Sequence, residues 1–86
     1  MSAPLTDSAL RSRVEAVALA HGCPVRAVIV ARGGGLAGVF AWRAEGTRVT
    51  ALRRWREDFA MVLRVREVAV EHVGHRWVAV RWRDNA

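Results

Sequence analysis

Gly22-Cys23-Pro24 separates two kinds of apolar periodicity, and a chain broken in this way is neither all helix nor all strand. Before the break, Leu10, Val14, Val17 and His21 recur at helical spacing, with Ala18 beside them. Thr6 or Asp7 supplies an N-cap, Asp7 complements the helix dipole, and Arg11 and Glu15 lie one turn apart on the other side. Gly22 followed by Pro24 is a stop signal. The spacing therefore predicts a helix over 7–21 that docks by its Leu10 and Val14 face. After Pro24 the residues become β-branched and alternating, and 25–31, 38–44 and 47–52 read as short strands. Gly33, Gly34 and Gly35 make a flexible hairpin loop, and Ala44-Glu45-Gly46 a tight turn between the second and third strands.

Residues 50–63 fit two periods. Leu52, Trp55, Phe59 and Val62 share one helical face, whereas Phe59, Met61, Leu63 and Val65 alternate with Arg64 and Arg66 as in a strand. The reading adopted is a turn or short helix over 53–58 and a strand from Phe59. Apolar parity then moves from odd positions at Leu63 and Val65 to even ones at Val68 and Val70, which predicts a bulge or break near Glu67. A last strand over 76–83 follows a turn at Gly74, and no internal repeat or linker is visible. Together these elements predict an α+β fold, an N-terminal helix packed on an antiparallel sheet or small open barrel of four to five strands. The chain is expected to form one domain over 1–86, with a flexible N-terminus at 1–6, the helix at 7–21 and mostly β structure over 25–83.

At 86 residues and 52% apolar, the chain supports one packed core. A domain of that size buries only about 60–65% of the surface its unfolded form exposes, so its stability margin is small. Cys23 is the single cysteine, which excludes an intrachain disulfide and points to a reducing, cytoplasmic setting. No signal-like start and no apolar run of spanning length appears, so no membrane association is expected.

Gly33-Gly34-Gly35-Leu36-Ala37-Gly38 matches G-x-G-x-x-G in form, but a dinucleotide site needs a helix opening at that loop and a parallel return strand. Here a strand follows and Glu45-Gly46 turns the chain too early for a crossover. Gly35-Leu36-Ala37-Gly38 has the outline of a KH-domain clamp, which joins two helices rather than two strands. Cys23, His72 and His75 lack the four-ligand spacing of a structural zinc site, and His21 is placed to interact with the helix dipole. No catalytic residue, metal ligand or cofactor site is assigned.

Val73-Gly74-His75-Arg76 resembles the Val-Gly-His-Arg ending of some toxins of the RelE/ParE superfamily, and chain length and basicity agree. The resemblance implies an mRNA-cleaving or gyrase-directed toxin in which Arg76 stabilises phosphate charge. It covers four residues, and the chain departs from the family in its N-terminal helix, its triple-Gly loop and its lack of tyrosine.

The formal charge of +6 comes from fourteen arginines without a lysine, against eight carboxylates. An Arg, Ala, Val and Gly bias suits a GC-rich coding sequence, which accounts for the missing lysine; the net charge still favours anionic partners, because guanidinium forks onto phosphate and carboxylate. Arginine is also interleaved with tryptophan, in Trp42-Arg43, Arg53-Arg54-Trp55-Arg56, Arg76-Trp77 and Arg81-Trp82-Arg83. In the last strand Trp77, Ala79 and Arg81 share one face and Arg76, Val78, Val80 and Trp82 the other, so one indole lies off the core unless both faces are covered. The candidate binding residues are Arg53, Arg54, Trp55, Arg56, Arg76, Trp77, Arg81, Trp82 and Arg83. The expected role is a small non-catalytic binding or assembly module that meets an anionic macromolecule, either nucleic acid or an acidic protein face. Its alternatives are a structural subunit of a large homo-oligomer, such as a phage-like particle component, and the toxin.

Overall fold

The Thr6 hydroxyl accepts the N–H of Ala9 at 3.1 Å and so starts the first helix, α1 (Asp7–Ala20). The helix ends where the sequence predicts. Cys23 N–H donates to Ala18 O at 2.8 Å and Gly22 N–H to Leu19 O at 3.0 Å, the paired bonds of a Schellman motif, with Gly22 at φ +72°. The structure, a computed structural model, describes residues 4–84. Of the segment expected to be flexible, residues 1–3 lie outside that range, while Leu5 packs against the core and Thr6 is the cap.

Strands β1 (Val25–Gly33) and β2 (Leu36–Arg43) form the first hairpin. Gly33 pairs with Leu36, leaving Gly34 and Gly35 as a two-residue turn at φ +60° and +77°. Two consecutive positive φ values define a type I′ turn, whose twist matches the flanking strands and which residues with a Cβ enter at a cost.

The segment expected to be a third strand over 47–52 is helical instead: α2 spans Val49–Arg54. A second helix, α3 (Arg56–Leu63), replaces the strand expected from Phe59. Burial explains both corrections. A strand over this segment would turn Phe59, Met61 and Leu63 inward together, but a helix buries Phe59, Ala60 and Leu63 and leaves Met61 76% exposed. Leu52, on α2 seven residues before Phe59, is also buried. Arg64 ends α3 in the left-handed region, and Arg13 donates to Val62 O at 2.9 Å near that end. Of the bulge or break expected near Glu67, the break is found: Glu67 lies between the end of α3 and the start of the next strand at Ala69, and the parity change is the passage from helix to strand.

Strands β3 (Ala69–Gly74) and β4 (Trp77–Arg83) form the second hairpin. The four strands make one antiparallel sheet in the order β1-β2-β4-β3, which is open rather than closed into a barrel. An N-terminal helix packed on an antiparallel sheet is thus the α+β fold expected. The element order also repeats a helix followed by a hairpin, α1-β1-β2 and then α3-β3-β4, with the second strand of each unit at the sheet centre.

Alternate residues of the sheet join the helices in one core: Ala37, Val39 and Ala41 from β2, Val70 from β3, and Val78, Val80 and Trp82 from β4. They meet Leu10, Val14 and Val17 of α1 and Phe59 and Leu63 of α3. Side chains from the helical layer also hold the outer strands. Glu15 accepts the Ala27 N–H at 2.8 Å, Arg11 donates to Val28 O at 3.2 Å, and Arg53 donates to Val70 O at 2.9 Å. These bonds occupy backbone groups that an edge strand would otherwise offer to another chain.

Candidate binding face

Because strand residues alternate, the residues between the core positions form a second sheet face, and the helices lie on the other side. The strand register assembles this face in rows. Arg26, Trp42 and Trp77 make one row across β1, β2 and β4; Ile29, Phe40, Ala79 and Glu71 make the next across all four strands; Ala31, Gly38, Arg81 and Ala69 follow; Leu36 and Arg83 close it. A shift in register between Ala27 and Ile29 keeps Ile29 on this face despite its odd number, while Val30 packs on the core.

Trp42 and Trp77 are direct cross-strand partners with ring centroids 5.1 Å apart at 77°, an edge-to-face pair. Trp42 is 38% exposed, Ile29 54% and Leu36 50%. At the centre, Ala79 is fully covered by its neighbours. Beside it, Arg81 lies across the sheet: its guanidinium is 5.4 Å from the Phe40 ring centroid and pairs with Glu71 at 3.0 Å. Gly38 makes room for that side chain, since a Cβ there would stand 3.1 Å from Arg81 Cγ. Arg26 and Arg83 are exposed at opposite ends of the face, and neither makes an ion pair among the described residues. The face therefore has an indole pair beside Arg26 at one end, Ile29, Phe40 and an internally neutralised Arg81 in the middle, and Arg83 at the other end.

The nine residues singled out from sequence do not form one site. Trp77, Arg81 and Arg83 belong to the open face. Trp82 points the other way and is 7% exposed in the core, so of the two indoles on the last strand Trp77 is the one off the core. Arg76 occupies the β3–β4 turn and pairs with Glu45 at 3.5 Å; the Val73-Gly74-His75-Arg76 segment is that turn, with Gly74 at φ +132° and His75 at φ +43°. Arg53, Arg54, Trp55 and Arg56 lie on α2, α3 and the residue joining them, in the helical layer. Trp55 stacks parallel on His21 with centroids 3.6 Å apart, and His21 Nε2 is 2.7 Å from Asp58 Oδ2, so this indole joins the end of α1 to α3.

Among the aromatic and arginine residues of the face, Arg26, Phe40 and Trp42 are absent from the sequence-derived set. The signal for Trp42 was its parity with Phe40 in one strand, but its neighbour Trp77 is 35 positions away and only strand pairing brings them together. The glycine run closes a hairpin and no helix opens at it. Among the described residues, no three His, Cys, Asp or Glu side chains come together to hold a metal ion, and no helix is long and apolar enough to cross a membrane. The chain matches no protein-family model and no curated protein.

Proposed function

We propose that this domain is a non-catalytic binding module that holds an anionic macromolecule against the open face of its sheet. The observation that carries this reading is the Trp42–Trp77 pair on the sheet face away from the helices, with exposed Arg26 in its own row and exposed Arg83 at the far end, neither in an ion pair among the described residues. The whole chain carries +6, so the long-range field also draws anions. Guanidinium and indole are the groups that most often dominate macromolecular contacts, and here both are anchored on a sheet rather than on loops.

Self-assembly into a larger oligomer is the second reading, and the exposed Ile29 and Leu36 favour it. Charge opposes it. Arg26, Arg81 and Arg83 face Glu71 as the one carboxylate among the paired rows, so stacking two such faces would bring like charges together.

Retention on immobilised heparin tests the proposal. Arg26→Glu/Arg83→Glu and Arg54→Glu/Arg56→Glu alter net charge equally, the first pair on the open face and the second on the helical layer. The sheet pair is expected to elute at clearly lower salt than the helical pair. Equal displacement of both would mean that anions meet the diffuse field of the molecule and no particular face.

A further inference from the structure

Resting on the reading of the open face as an anion-binding surface, we infer that its partner is a single-stranded nucleic acid whose bases stack on the Trp42–Trp77 pair and whose phosphates reach Arg26 and Arg83. Two features of the face favour this polyanion over others. First, the two indoles share the end row with Arg26, so rings and a cation stand side by side, and a partner that is charged throughout would leave the rings desolvated without compensation. A polynucleotide alternates a charged backbone with flat apolar bases, and base stacking on an aromatic ring tolerates any sequence.

Second, the geometry of the indoles suits an opened strand. Trp42 and Trp77 meet edge to face at 77°, so two bases that use both rings cannot lie parallel to each other. Bases in a duplex are stacked parallel at about 3.4 Å and turned toward each other, so a sheet face meets the backbone of a duplex and not its ring faces. A single strand can splay its bases onto the rings. Arg81 does not join the phosphate set in the free protein, since Glu71 already holds it over Phe40. That pair makes Phe40 a half-covered neighbour and leaves the two indoles as the platform.

The test uses the full chain with a fluorescein-labelled deoxythymidine 12-mer, the matching 12-base-pair duplex, and unlabelled heparin. Anisotropy is expected to show tighter binding of the single strand than of the duplex, with quenching of indole emission by an unlabelled single strand. Trp42→Ala should weaken single-strand binding by about tenfold or more, the loss typical of one stacked base, and should lower the salt of heparin elution far less than Arg26→Glu/Arg83→Glu does. Trp42→Phe, which keeps a ring, should restore most of the affinity. Arg83→Gln should lower the slope of log K against log salt by about 0.7, one phosphate contact on a single strand. Circular dichroism of each variant establishes that it is folded, and Trp77→Ala serves as the second probe of the platform if Trp42→Ala is not.

Equal affinity for duplex and single strand, or unchanged single-strand affinity in folded Trp42→Ala and Trp77→Ala, would overturn the stacking inference while the heparin result for Arg26→Glu/Arg83→Glu still stood. Insensitivity of heparin retention to that arginine pair would instead remove the anion-binding reading beneath it. A concentration-dependent dimer in sedimentation that the single strand does not dissociate would overturn the inference by placing a second copy on the face.

Discussion

Trp77 and Trp82 lie five positions apart on one strand and serve opposite purposes. Trp82 closes the core among Leu10, Leu63 and the inner sheet residues, whereas Trp77 packs edge-to-face with Trp42 where no helix covers it. Truncating Trp82 leaves a large internal void. Trp82→Ala should therefore cost roughly 3–5 kcal/mol, a large part of the stability of a domain this small, and urea denaturation should show the variant largely unfolded or with its midpoint near zero. Trp77→Ala should leave a cooperative transition with a much smaller loss. Strand alternation made the separation of these two rings legible in the sequence, because adjacent side chains in a strand must point apart. The partner of Trp77 was not legible: Trp42 reaches it through the register of β2 against β4, which no local pattern encodes. Trp55 was hidden for a similar reason, since its stacking on His21 depends on how the end of α1 meets the start of α3.

Among the elements, α1 was predicted closely because every signal agreed: a hydroxyl cap, one apolar face, and a glycine and proline stop. Val14 is 1% exposed at the centre of its buried face. Val14→Asp should abolish folding, since an unpaired buried carboxylate costs several kcal/mol; loss of far-ultraviolet helical signal at room temperature is the readout, and a native spectrum would mean that α1 is not docked. The hairpin loop likewise behaves as its glycines require. Gly34→Asn should leave stability within about 0.5 kcal/mol of the parent or raise it, because Asn-Gly suits a type I′ turn, while Gly35→Val should cost about 1–2 kcal/mol; thermal melts distinguish them. Residues 47–63 failed because the two periods were nearly equal over so short a segment. Exposure of Met61 is the fact that separates them, and exposure is a property of the packed molecule.

Seen whole, the molecule places its helices on one side of a four-stranded sheet and leaves the other side open, with a helix and hairpin repeated twice in order though not in sequence. Glu15, Arg11 and Arg53 bond to backbone groups of the two edge strands at Ala27, Val28 and Val70. Positive charge was plain in the sequence, but its division between two sides was not: Arg54 and Arg56 go with the helices, Arg26 and Arg83 with the sheet. The amide and indole N–H spectrum of the 15N-labelled protein, titrated with a deoxythymidine 12-mer, tests the central claim most directly. The account predicts that the indole resonances of Trp42 and Trp77 and the amides of β2 and β4 move together and saturate, while those of Trp55 and of Arg53, Arg54 and Arg56 stay in place. Shifts centred on α2 and α3 with the sheet unaffected would contradict it.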